Sequence, residues 1–296
     1  QAVYSLQEVS GMASPRLRLS LIAVFVLISG VFSFADEEIK ILNDGTKYLI
    51  HPSEIRSGGP PPDGIPSIDK PLFESVNAAG KWLGESDLVI ILDLNNTVRI
   101  YPFPILVWHE IVNDTVQGVP VLVTYCPLCG SAIAYERKID GESVEFGTSG
   151  KLYNSNLIMY DRLTESYWTQ IGGRAVVGPL TGARLKPIVI HTVTWADAKA
   201  RHPRAEVLSR DTGFRRVYGT DPYGSYYTEE YLMFPVDNED RRLHPKDPVL
   251  GIEVDGIYKA YGENDFSVPG KIIDEFEGRR VEITTDEYGV VTFADL

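Results

Sequence analysis

Cysteine is almost missing from this chain: 296 residues contain two, Cys126 and Cys129. A disulfide framework holding a small loop-rich fold together is therefore excluded, and any sulfur chemistry must centre on one pair. Histidine and methionine are scarce as well, at five and three, so a metal bound by the cysteines would have few further N or S ligands to draw on. Positive charge is also short. Against 41 Asp and Glu stand 28 Lys and Arg, for a net charge of −13, which argues against nucleic acid or an anionic membrane as a partner. Beyond the run from Leu19 to Phe34, no apolar stretch reaches the length needed to span a bilayer. The chain shows neither a short-period repeat nor a low-complexity tract.

That apolar run carries an address. Residues 12–35 read as a secretory signal, with Arg16 and Arg18 ahead of the run and Ser33-Phe34-Ala35 forming a small-x-small cleavage site at its end. No cysteine follows, so a lipid anchor is excluded; an uncleaved membrane anchor is the alternative reading of the run. Residues 1–11, ahead of a plausible start at Met12, are taken as extraneous to the fold. Cleavage after residue 35 would remove Arg16, Arg18 and Glu8 and move the net charge to −14. The expectation is a single β-rich domain over residues 36–296, exported to a periplasmic or extracellular location, without stable membrane insertion after cleavage.

Residues 57–71 are dense in Gly and Pro and read as an ordered, polyproline-like lead-in. A short helix is expected over Phe73–Leu83. From Leu88 onward, short Val, Ile, Tyr and Thr runs alternate with turn signals. Val89–Leu94 and Val98–Tyr101 flank Asn95-Asn96 as a hairpin. Val119–Tyr125 is a strand leading into Cys126. Ser131–Arg137 and Ser143–Gly147 are expected to pair across Asp140-Gly141, and Leu157–Tyr160 and Ser166–Ile171 across the turn at 161–165. Thr194–Arg201 reads as a helix stopped before Pro203, with His202 at its end. Val89–Pro102 also aligns without gaps to Val249–Gly262. That echo fits either an internal duplication or the ordinary likeness of two tight hairpins. The fold class expected is mainly β, a mixed barrel or sandwich with a few short peripheral helices.

Cys126-Pro127-Leu128-Cys129-Gly130 admits three chemistries. A tight turn aims both sulfurs one way, as a metal knuckle requires. The same spacing closes a small redox ring, provided one thiol has a lowered pKa. An inert disulfide is the third, but so short a loop gains little stability from closure. Among co-ligands, His109 lies just ahead of the strand that leads to the cysteines, as third ligand or as a base, and His244 comes next. Two thiolates with imidazole favour copper or zinc. Met159 and Met233 would suit a soft ion but more ordinarily pack. His109-Glu110-Ile111-Val112-Asn113 fails as a zinc-protease helix, having Asn in place of the second His, and Gly147-Thr148-Ser149-Gly150-Lys151 has neither phosphate-loop nor nucleophile-elbow spacing.

A second set suggests a polar, aromatic pocket: Ser149, Lys151, Asp161, Arg162, Trp168 and Gln170. It would serve a hydrolase or transferase acting on a small molecule. The ordinary reading makes Asp161 and Arg162 a turn and Trp168 a core residue.

The strings GGPPPDGIP, YPFPILVWHEIVND, TYCPLCGSA, FGTSGKLYNSNLIMYDRLTESYWTQ, GPLTG, VLS, DPYGSY and RLHPKD, in this order between about Gly58 and Tyr261, resemble an uncharacterised family of exported prokaryotic proteins, the domain of unknown function DUF3179. The resemblance implies one domain in which these strings gather, and no reaction, cofactor or partner. The functions left open are extracytoplasmic metal handling or thiol redox chemistry at Cys126 and Cys129, with a small molecule, a metal ion or a thiol partner; the small-molecule enzyme; and a non-catalytic envelope binding module in which the cysteines form a local clip.

Overall fold

The structure is a computed structural model and describes residues 2–3, 38–254, 257–262, 265, 269–286 and 291–295. The signal segment at 12–35 lies outside the described residues. Strands dominate, at 43% against 10% helix, as the density of β-branched and aromatic residues predicts. Among the described residues no helix is long and apolar enough to cross a membrane.

Three curled sheets stack into a sandwich. Strands β1 (Leu88–Leu94) and β2 (Thr97–Pro102) form a hairpin closed by Asn95 and Asn96, both at positive φ (52° and 63°). This is the primed turn expected of an Asn-Asn pair. They sit within a five-stranded sheet with Ile190–Thr194, Glu206–Leu208 and Phe73–Ser75. The middle layer holds β3 (Ile111–Val116), β4 (Val119–Cys126) and β5 (Ser131–Glu136), with Lys186–Ile188 beside β5. The third layer is a seven-stranded sheet around β6 (Phe146–Tyr153), β7 (Asn156–Asp161) and β8 (Tyr167–Thr169).

β4 is buried on both faces, and its two-residue period divides the core. Val121, Val123 and Tyr125 pack with Ile90, Leu92 and Tyr101 of the five-stranded sheet. Leu122 and Cys126 point the other way, to Phe146, Leu157, Met159 and Trp168. The outer face of the five-stranded sheet is covered by Ala79, Trp195 and Ala198 from two short helices.

Two local expectations are corrected. Over 73–83 the helix is a single turn, Val76–Ala79, capped by Ser75, and Phe73–Ser75 is an edge strand. The turn at Asp140-Gly141 forms, but it closes only the small ladder Lys138–Ile139/Glu142–Ser143. Beyond it the chains separate, because β5 already has β4 and Lys186–Ile188 as neighbours and Phe146 is drawn to β7. The helix Trp195–Arg201 has Thr194 as its N-cap, and His202 at its C-cap gives its backbone N–H to Ala198 O.

The echo in the sequence extends well past its hairpin. Strands β9 (Val249–Val254) and β10 (Ile257–Gly262) repeat the β1–β2 register, with Val249 opposite Gly262 as Val89 is opposite Pro102. Strands β11 (Gly270–Phe276) and β12 (Arg279–Thr285) repeat β3–β4: Lys271 faces Thr284 as Ile111 faces Thr124. Each position is displaced by 160, as Val89 to Val249 shows. The buried set Leu250, Ile252, Tyr261, Phe276, Val281 and Ile283 falls, at that displacement, on Ile90, Leu92, Tyr101, Val116, Val121 and Val123. A likeness of tight turns accounts for one hairpin, not for four strands and a matching core; the two units are copies. Among the described residues the fifth strand, β13 (Val291–Asp295), departs: Val291 faces Thr285, whereas Ser131 faces Cys126. The link from fourth to fifth strand is thus one residue shorter where the cysteines lie.

Candidate functional site

Cys126 ends β4, and the chain reverses through Pro127, Leu128, Cys129 and Gly130 into β5. Gly130 takes φ 62°, which lets the short link close. Cys126 is buried at 1% exposure and Cys129 is half-buried; no disulfide joins them.

Cys129 sits among hydrogen-bond donors. Asn156 Nδ2 donates to its Sγ at 3.2 Å, and Ser131 Oγ lies 3.0 Å from it. Behind them Gln170 is locked. Thr124 spends its proton on Ile133 O (2.8 Å), so its oxygen accepts from Gln170 Nε2 (3.0 Å), and Gln170 Oε1 must face Asn156 (2.7 Å) and Ser131 (2.8 Å). Ser131 has one proton and two takers. With Cys129 a thiol, that proton goes to Gln170 and the thiol donates to Ser131. With Cys129 a thiolate, Ser131 turns to sulfur and Asn156 alone serves Gln170. The same side chains satisfy both states without moving.

The charge distribution follows. Hydrogen bonding from the Cys126 thiol, and then from Ser131 and Asn156, pulls Cys129 down to about 6 in spite of its burial. Burial, together with the charge of Cys129, pushes Cys126 well up. Glu110 is buried too, and desolvation, with Cys129 nearby, raises it to about 8. Tyr223 pairs with Glu110 and packs against both faces of the core, while Tyr226 gives its hydroxyl to Leu128 O at 3.3 Å.

His109 is not part of this group. Its Nδ1 faces Pro66 O at 2.7 Å, which fixes the proton there, and Nε2 accepts from Tyr218 OH at 2.7 Å. Burial lowers it to about 4, so it is a neutral, fully used imidazole. To serve the cysteines as third ligand or base it would have to give up one of these bonds. Glu110, the next residue, is buried in a left-handed conformation (φ 58°). His244 sits in a loop, where its Nδ1 accepts from Lys246 N at 3.2 Å. Among the described residues no three His, Cys, Asp or Glu side chains gather to hold a metal ion, so Cys126, Cys129, His109 and His244 do not form the set expected of a copper or zinc centre.

The polar residues of the second set are dispersed. Gln170 belongs to the cysteine network. Ser149 bonds Ile158 O and Lys151 N at a bulge in β6. Lys151 reaches the Tyr167 ring at 5.9 Å. Asp161 accepts from Trp168 Nε1 (2.9 Å) and Thr164 N (2.6 Å), tying a buried turn to a core indole. Arg162 clamps the Pro-rich lead-in through Asp69 (2.6 Å), Ser67 (2.9 Å) and Asp63 (3.2 Å). The glycines of 147–150 serve that same docking: a Cβ on Gly150 would lie 1.9 Å from Pro60 O. Lead-in and β6 therefore meet through main chain.

Sequence reasoning passed over Glu110, Ser131 and Asn156. The available signal was an acid inside the apolar run Trp108–Val112, a position where a carboxylate is costly.

These features sit within a recognisable family. The family model described as a protein of unknown function (DUF3179) matches residues 62–294, and the chain belongs to that family. No curated protein and no solved structure matches it.

Proposed function

We propose that this chain is an exported thiol–disulfide exchange protein in which Cys129 attacks and Cys126 resolves. One observation carries the reading: the half-buried Cys129 is surrounded by donors suited to a thiolate, while its neighbour is a buried, protonated thiol. The Cys129 thiolate attacks a disulfide of a partner, joining one partner sulfur and expelling the other as a thiolate. Cys126 then gives up its proton and attacks Cys129, releasing the second partner sulfur and leaving a Cys126–Cys129 disulfide. The partner gains the two electrons that the cysteines lose.

Stabilising the thiolate favours the reduced pair. The hydrogen bonds that lower Cys129 thereby make the Cys126–Cys129 disulfide the more oxidising one. This favours running the same exchange in reverse, the Cys126–Cys129 disulfide taking two electrons from a partner dithiol and leaving the partner's sulfurs bonded.

The test is the pH profile of alkylation by iodoacetamide, read by mass at each cysteine. Cys129 should be modified with a midpoint near 6, and Cys126→Ser should accumulate a mixed disulfide with a small disulfide such as oxidised glutathione. Two cysteines with ordinary thiol midpoints, and no trapped adduct, would exclude this chemistry.

A further inference from the structure

An extended, apolar stretch of chain is fastened to the cysteine turn. The run Tyr231-Leu232-Met233-Phe234-Pro235-Val236-Asp237 alternates between outward and inward positions. Leu232, Phe234 and Val236 are half-buried, and Phe234 packs on the core that holds Cys126, Leu128 and Trp168. Tyr231, Met233 and Pro235 face water, with Tyr231 64% and Met233 40% exposed. A period of two marks an extended chain lying on a surface, and here its outer row is apolar.

Two hydrogen bonds tie this stretch to the loops that build the thiol site. Ahead of it, Tyr226, in the short 3-10 helix Gly224–Thr228, gives its hydroxyl to Leu128 O at 3.3 Å, and the Met233 main chain lies by that hydroxyl. At its end, Asp237 N donates to Asn154 Oδ1 at 2.8 Å, two residues before the Asn156 that serves Cys129. Lys246 Nζ joins the two parts. It donates to Tyr226 O (2.8 Å), Glu229 O (3.2 Å) and Tyr231 O (2.9 Å), and sits 3.2 Å from the centre of the Tyr226 ring. Tyr231 and Met233 are thus held beside the turn that carries Cys129.

The charge around them has one dominant sign. Between Tyr218 and Asp237 the sequence has Asp221, Glu229, Glu230 and Asp237, all exposed, and neither Lys nor Arg. Lys246 returns one positive charge, but its hydrogen bonds are spent on the three carbonyls. Resting on the thiol-exchange reading, we propose that this face docks the partner of Cys129, and that the partner is a polypeptide whose cysteine has apolar and Lys or Arg neighbours. Its apolar side chains cover Tyr231 and Met233, an aromatic ring and a pliable thioether of the kind that anchors interfaces. Its cations meet the surrounding carboxylates. Two other occupants fit less well. A glutathione disulfide is an anion with no apolar side chain to offer, and a second copy of this chain brings a net charge of −13.

The experiment uses the whole chain, reduced, and probes in which thionitrobenzoate is disulfide-linked to a cysteine. One probe is a peptide with Leu, Phe, Lys and Arg around the cysteine, the second a peptide of equal length with Ser, Asp and Glu there, and the third glutathione. Attack by Cys129 on the probe's cysteine sulfur forms the mixed disulfide. The electron pair of the broken S–S bond leaves with thionitrobenzoate, which is followed by absorbance. Each rate is divided by that of mercaptoethanol with the same probe, so that recognition alone is compared. The first peptide should react about tenfold faster than the other two, and its advantage should shrink in about 1 M salt, where the screening length is about 3 Å. Tyr231→Ala combined with Met233→Ala should remove about tenfold of the first peptide's rate and leave the glutathione probe unaffected. Both side chains are exposed, so the melting temperature should not move. Glu230→Gln with Asp237→Asn should cost only the salt-sensitive part, since Asp237 keeps its main-chain tie to Asn154. Equal relative rates for the three probes, or a first-peptide rate untouched by the Tyr231 and Met233 substitutions, overturn the docking face and leave exchange standing. A faster reaction with the glutathione probe overturns it in favour of a small anionic partner, and rates that fall as the protein is concentrated overturn it in favour of a second copy. A wild-type chain that releases no thionitrobenzoate from any probe brings down the exchange reading and this proposal with it.

Discussion

Asp114 and Asp274, 160 positions apart, do the same work in the two copies of one unit. Asp114 accepts from Tyr101 OH at 2.7 Å and pairs with Arg99; Asp274 accepts from Tyr261 OH at 2.7 Å and pairs with Lys259. In each case a residue near the end of the second strand is tied to the third strand, which holds the hairpin against its neighbour.

The two ties differ in burial, and that fixes their relative worth. Asp114 is 4% exposed and Tyr101 fully buried, whereas Asp274 is 25% exposed and open to water. Tyr101→Phe removes a donor that no solvent replaces and should cost about 2 kcal/mol. Tyr261→Phe should cost less than about 1 kcal/mol, since water takes over the carboxylate. Chemical denaturation of both variants checks the ratio. Equal losses would mean that the triads do not act as the burial difference requires.

How much of this was legible follows from what the period-two pattern preserves. Hairpins at Asn95-Asn96 and at 161–165 could be read because turn residues and alternation agree there. The repeat showed only in its first hairpin. Farther along, the copies share inward residues of similar type, as Val123 and Ile283 do, while outward positions diverge as far as Leu122 and Glu282. In the first copy Leu122 packs against the third sheet, and in the second Glu282 pairs with Lys271. The cysteine pair was plain in the sequence. Its surroundings were not, because Asn156, at the start of β7, and Gln170, just after β8, lie 27 and 14 residues from their partners Cys129 and Asn156, a pairing that only the fold determines. His109 attracted attention by its type, although its ring is fully used by Pro66 and Tyr218.

That use of the ring predicts an acid limit to stability. Burial lowers His109 from an ordinary 6.5 to about 4, so the unfolded chain binds a proton that the folded chain refuses. Its contribution is fully present above pH 6.5 and is lost as pH falls toward 4, amounting to about 3 kcal/mol. His109→Gln, which offers one donor and one acceptor but does not titrate, should flatten the wild-type decline between those values. Urea midpoints measured across this range decide it: parallel curves for the two proteins would show that His109 titrates as an exposed imidazole does.

The thiolate network makes a prediction in which the direction of each shift matters. Ser131 and Asn156 supply protons to Cys129, so Ser131→Ala and Asn156→Ala should each raise its alkylation midpoint from about 6, by about one pH unit for each charge-assisted hydrogen bond lost. Gln170 acts oppositely, because its Oε1 competes with the sulfur for the Ser131 proton and for the Asn156 amide. Gln170→Met keeps the volume and removes the competitor. It should leave the midpoint where it is or lower it, although the fold loses the bond to Thr124. A general loosening of the site would raise the midpoint in all three variants alike. Opposed shifts, measured as thiolate absorbance against pH, arise only if the hydrogen bonds themselves set the state of Cys129.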